Sequence, residues 1–223
     1  AVINISGVKH SGRFQVYLVI WLLVLLAAYI LGGSFHIAPQ NFTNFFALGT
    51  GNIISTTGMI FISYAGLTKI DAVAGEIKNS SQTLPLGMFL SWGCCSIIYI
   101  LSITVCVGIM PAETLAGTIA PFTVGGKIIA GNFGAIAMSI AALLAFITTG
   151  NGGLLAASRP PFAMSKNHLL PPFLGKLSER GTPVNSIILT ALFMTGVILF
   201  FDLEHFIKAA STVQLLLFVF VNL

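Results

Sequence analysis

Four stretches of this chain carry no charged residue at all: 14–35, 84–112, 128–158 and 181–201. Each meets or exceeds the roughly 18 to 20 residues that a helix needs to cross the hydrocarbon core of a bilayer. A fifth apolar stretch starts near Phe206 and runs to Leu223. Backbone groups in hydrocarbon must hydrogen-bond within their own segment, so runs of this length predict helices rather than open sheets or loops. The whole chain is 56% hydrophobic and 7% charged, whereas a soluble domain is about 25% charged. So few charges could not cover a water-exposed surface. The predicted fold class is an all-α integral membrane bundle that crosses the bilayer several times.

Six spans follow, at about 14–33, 52–78, 84–110, 132–160, 183–201 and from 206 onward. Short segments with turn chemistry join them, such as Gly32-Gly33-Ser34, Met110-Pro111 and Gly181-Thr182-Pro183. The connection from Pro111 to Gly131 is longer and semi-apolar, and predicts a short external helix or hairpin. Alternate loops face the same side. One set holds Lys9, Arg13, Lys69, Lys78, Arg159, Lys166, Lys176 and Arg180, and the other holds Lys127 and Lys208. Cytoplasmic loops collect lysine and arginine, so the first set is assigned to the cytoplasm and the first complete span runs outward.

Several function classes fall away at this point. The net charge of +4 is scattered between apolar runs rather than gathered in one basic stripe, which argues against a nucleic-acid partner. Cys94, Cys95 and Cys106 share one apolar run, where free thiols behave as small hydrophobes rather than as a disulfide framework or metal site. His10, His36, His168 and His205 sit near span boundaries and read as solvated interface residues. No triad, phosphate loop or convergent acid–base pair is visible, so the chain is not read as an enzyme. Asn41-Phe42-Thr43 fits a glycosylation sequon on the outer side. The chain opens at Ala1 and stops at Leu223 inside an apolar stretch, so both ends are read as cut.

The second span is unusual. Gly51 to Gly66 carries Gly, Ser and Thr where a lipid-facing helix would carry Leu and Val, which predicts a helix packed among other helices. It runs on into Lys69 and Asp71. Charges at membrane depth line a cavity or pair with a neighbour, and the rival reading is that both already reach the interface.

Three groups of residues resemble the amino acid–polyamine–organocation superfamily. Gly7-Val8-Lys9-His10-Ser11-Gly12-Arg13 is similar to that family's link between its fourth and fifth helices. Phe61-Ile62-Ser63-Tyr64-Ala65-Gly66, with Ala74-Gly75-Glu76-Ile77-Lys78-Asn79 and Pro85, resembles its sixth helix and the loop after it. Leu154-Leu155-Ala156-Ala157-Ser158-Arg159, then Phe162-Ala163-Met164-Ser165, Leu169-Leu170-Pro171 and Gly181-Thr182-Pro183-Val184, resembles the eighth helix and its cytoplasmic loop. Together they cover nearly the whole chain in order.

The resemblance implies the leucine-transporter fold, in which ten core helices form two inverted repeats of five and a broken helix binds substrate. Residues 1–223 would be a partial amino acid permease domain holding the fifth helix and the second repeat, the tenth helix truncated, with helices one to four of the same polypeptide absent. The residues themselves fit such a break. Gly66 beside Ala65 tolerates an interruption, and carbonyls near Phe61 to Tyr64 would then present the negative end of a helix dipole to a substrate ammonium. Ser63 adds a hydroxyl, and Phe61 or Tyr64 an aromatic wall; ordinary packing is the rival reading of these residues. The expected function is secondary active transport of amino acids or related amines by alternating access, in the plasma membrane; the alternative is a membrane-embedded amino acid sensor or binding subunit of the same fold.

No organic cofactor is expected. Thr148 and Thr149 lie near the middle of the eighth-helix span, where adjacent hydroxyls in sodium-coupled carriers of this fold hold a sodium ion, and oxygen ligands suit such a hard cation. Threonines that bond back to their own helix are the rival reading. A proton route through Lys69, Asp71 or Glu76, or exchange without a coupling ion, stays open. The sequence also departs from some proton-coupled relatives, which carry a lysine where Ile20-Trp21-Leu22-Leu23 stands, and from many relatives at Leu67-Thr68-Lys69 and Asn79-Ser80.

Overall fold

A computed structural model describes residues 8–43, 49–64, 66, 77, 79–178 and 181–222. The described residues form helices and turns, without strands. The helices are α1 (Val8–Ser34), α2 (Gly49–Ile60), α3 (Ser80–Ile109), α4 (Ala112–Gly117), α5 (Pro121–Ala157), α6 (Arg159–Lys166), α7 (Val184–Phe200) and α8 (Leu203–Asn222). Gly12–Ser34, Ser80–Ile109 and Pro121–Lys166 are each long and apolar enough to span a membrane, while Val184–Phe200 and His205–Phe220 are apolar but shorter. At 1.5 Å per residue, a helix the length of α7 still covers about 25 Å. Of the six expected spans, five fall on α1, α3, α5, α7 and α8. The one expected over 52–78 is described as α2 and a 3-10 turn over Phe61–Tyr64, and most of its second half lies outside the described residues.

By internal packing the chain falls into two compact units. One comprises Lys9–Phe45 and Gly93–Asn151. Its core is Tyr29, Val105, Cys106, Ile109, Met110, Met138 and Ala141, with Leu22, Leu25, Leu26 and Ile30 of α1 packed beside them. On α3 the buried residues Ser102, Val105, Cys106 and Ile109 recur at helical spacing and make one face. Tyr29 meets Phe122 edge to face, with centroids 5.4 Å apart. After α1, the amide of Ala38 and the side-chain nitrogen of Asn41 both donate to the carbonyl of Gly108, at 2.9 and 2.8 Å. The nitrogen that a glycan on the Asn41 sequon would occupy is therefore already engaged at the end of α3.

The semi-apolar connection after α3 is helical, as expected: α4, then the first part of α5. Within α5, Ala130 (φ −138, ψ 26) and Gly131 (φ 61, ψ −145) are not helical, so a short piece from Pro121 precedes a long piece that ends at Ala157. Gly131 takes a left-handed conformation that a side chain would resist. The two pieces then fold back so closely that Gly126 and Gly134 touch backbone to backbone, and a Cβ on either would collide with the other.

The other unit comprises Ala1–Val8, Phe46–Trp92 and Gly152–Leu223. In it α2 and the turn at Phe61–Tyr64 pack against α8. α6 packs on a 3-10 turn at Pro172–Gly175, which in turn packs on α7. Hydroxyls and one amide tie this joint to backbone carbonyls: Ser165 donates to Pro171 at 2.7 Å, Ser186 to Leu174 at 2.9 Å and Asn185 to Phe173 at 2.7 Å. Thr182, Ser186 and Ile187 have no exposed surface. The residues that carried the family resemblance here are thus mainly a structural joint. A buried hydroxyl bonded to a carbonyl replaces water that the chain excludes.

Candidate functional site

α2 ends at Ile60 and the chain continues as a 3-10 turn from Phe61 to Tyr64. The change from i+4 to i+3 bonding tightens the last turn and ends the regular α-helical ladder here. It falls on the segment expected to end the outer half of a broken helix. Phe61 is half-buried and sets its ring edge to face against Phe218 of α8, with centroids 5.6 Å apart. Tyr64 is half-buried, Ser63 is exposed, and among the described residues no atom lies within 4 Å of where a Cβ on Gly66 would stand. Ala65 and Lys69, and with them Asp71 and Glu76, lie outside the described residues. The described part of this site carries no charged side chain. What it offers a ligand is backbone carbonyls, one hydroxyl and two aromatic rings, one of which is braced by α8.

Thr148 and Thr149 sit on the long piece of α5 but do not share a face. Thr148 is buried, at 5% exposure, and Thr149 is exposed. The Thr148 hydroxyl donates to the carbonyls of Leu144 at 2.9 Å and Ala145 at 3.0 Å, the back-bonding typical of threonine in helices. A donating hydroxyl keeps lone pairs, so its oxygen can still accept a cation.

A polar group that the sequence reading did not single out stands beside it. Gln15 of α1 donates its Nε2 to the backbone carbonyl of Thr148 at 2.9 Å and accepts from Asn151 Nδ2 at 2.8 Å. The available signal was a carboxamide inside each of two charge-free runs, because such groups in membrane helices seek one another.

Residues 1–223 match the amino acid permease family. A methylthioribose transporter of Bacillus subtilis is 28% identical over 202 residues, which are 88% of this chain and 43% of that protein. A branched-chain amino acid permease of Lactococcus lactis is 29% identical over 233 residues, covering 100% of this chain and 50% of that protein. Cationic amino acid transporter 1 of Arabidopsis thaliana is 25% identical over 223 residues, 99% of this chain and 37% of that protein. The chain therefore spans between 37% and 50% of the length of these relatives.

Proposed function

We propose, from the premise that this chain belongs to the amino acid permease family, that the protein moves amino acids or related amines across the cell membrane by alternating access. Membership with these apolar helices makes it an integral multi-pass membrane protein of a transporter family rather than of an enzyme family. In this reading α1 is the family's fifth helix, and α2 with its 3-10 turn is the sixth. α3 is the seventh, the long piece of α5 the eighth, α7 the ninth and α8 the tenth.

The observation that carries the proposal is the switch from α to 3-10 bonding at Phe61–Tyr64, with Gly66 just beyond it clear of the other described residues. Irregular backbone is tolerated at membrane depth only where it faces protein or a watery cavity, and transporters use such interruptions to hold substrate. Carbonyls at a helix C-terminus favour a cation, and an amino acid presents an ammonium. The relatives' names specify branched-chain amino acids, cationic amino acids and methylthioribose. A site whose described part recognises through backbone and rings suits such a range better than one built on a fixed charge. Sodium coupling has narrower support: one buried hydroxyl oxygen, at Thr148.

Gly66→Leu tests the site directly. Among the described residues nothing stands where the new side chain would begin. It should abolish binding of labelled amino acid while the protein still purifies as a monodisperse membrane protein. Unchanged affinity would mean that Gly66 has no part in the site.

A further inference from the structure

Gln15 joins two helices at one place. Its two hydrogen bonds link residues 133 and 136 positions apart in the chain, and both are partly buried. Thr148 and Asn151 lie three residues apart on α5, hence on one face, so a single planar carboxamide can meet both. It donates to the carbonyl of one and accepts from the side chain of the other, using both of its functions.

What it grips is a weak part of the helix. Thr148 is followed by Thr149-Gly150-Asn151-Gly152-Gly153, and glycine is the poorest helix former after proline. The Thr148 carbonyl is the one that regular helical bonding pairs with the Gly152 amide. Gln15 therefore ties α5 to α1 beside its glycine-rich residues, sharing the Thr148 carbonyl with the Gly152 amide. A carboxamide left unpaired in hydrocarbon would be costly, so the two halves of the contact keep each other in place.

We infer that Gln15 is a positioning residue, a clamp that holds the glycine-rich turn of α5 helical and whose release lets α5 bend there during transport. The second half rests on the transport reading proposed above; the first does not. Gln15→Leu removes both bonds. Gln15→Glu is the informative variant, because a protonated carboxyl can donate to the Thr148 carbonyl and accept from Asn151 as the amide does, whereas the ionised form has no proton to donate. Arg13 is the nearest charged residue on α1; it is exposed, and residues two apart on a helix do not face each other. The one titratable side chain of α5, Lys127, lies beyond the break at Ala130–Gly131.

The experiment uses the full-length protein in liposomes, with two readouts: amide hydrogen exchange over residues 148–156, and the rate and KM of labelled amino acid uptake. Gln15→Leu should raise exchange at Gly152 and Gly153 and change the maximal uptake rate roughly fivefold to tenfold, the population effect of two interhelical hydrogen bonds, with KM little altered. Gln15→Glu should match the parent at low pH, where its carboxyl is protonated, and approach Gln15→Leu at high pH, where it is ionised. Asn151→Leu should reproduce much of the Gln15→Leu effect, and the double variant should add little. Unchanged exchange in Gln15→Leu, or a Gln15→Glu protein that behaves like the parent at high pH, overturns the clamp. Faster exchange with an unaltered uptake rate overturns its role in transport. If the parent shows no uptake at all, the exchange data still decide the clamp and it is the transport reading that fails.

Discussion

Thr148 shows how two uses can compete for one side chain. Its hydroxyl hydrogen is spent on the carbonyls of Leu144 and Ala145, and its own carbonyl already receives Gln15. The lone pairs of its hydroxyl oxygen are what a cation would find. Thr149, on the exposed side, is the weaker candidate. If sodium drives transport through this position, Thr148→Val should raise the sodium concentration for half-maximal uptake by about tenfold or more, with Thr149→Val causing a smaller shift. Uptake indifferent to sodium, or a sodium dependence untouched by Thr148→Val, removes the cation from the account. At this scale the sequence was partly readable. Phe61, Ser63, Tyr64, Ala65 and Gly66 stood out because the stretch they form resembles the family's broken sixth helix. The partnership of Phe61 with Phe218 did not, because 157 positions separate them in the chain and many phenylalanines were available.

Among the elements, the long apolar runs were the legible part, since hydrocarbon leaves the backbone little choice but helix. α1, α3, α7 and α8 begin and end within a few residues of the expected bounds, apart from the extra turns at the start of α1 and α3. The break in α5 was harder to place. Gly125, Gly126, Gly131 and Gly134 all lie in that region, and which of them takes positive φ is decided by the fold-back of the two pieces. That fold-back depends on Gly126 and Gly134 meeting without side chains. Gly134→Ala should force the pieces apart at an overpacking cost of about 1–3 kcal/mol. The purified protein should then melt roughly 5 °C or more lower in detergent. An unchanged melting midpoint would mean that the two pieces do not pack through these glycines.

For the whole molecule, the orientation in the membrane rests on the uneven placement of lysine and arginine. Pro39 and Lys176 are both exposed, so the membrane alone should decide which of them an external reagent reaches. With Cys94, Cys95 and Cys106 replaced by alanine, a cysteine at position 39 should react with an impermeant maleimide in intact cells, and one at position 176 should not. Labelling at 176 alone would reverse the topology.

The claim at the centre of this account is that the protein carries amino acids through the membrane rather than only binding them. The direct measurement is uptake of a panel of labelled amino acids into liposomes holding the full-length protein, with unlabelled amino acid trapped inside and with sodium, potassium or a pH gradient imposed separately. The account predicts saturable uptake of at least one amino acid, competed by the same amino acid unlabelled and lost in Gly66→Leu. Specific binding without any accumulation or exchange would contradict it and would make the protein a sensor of the same fold.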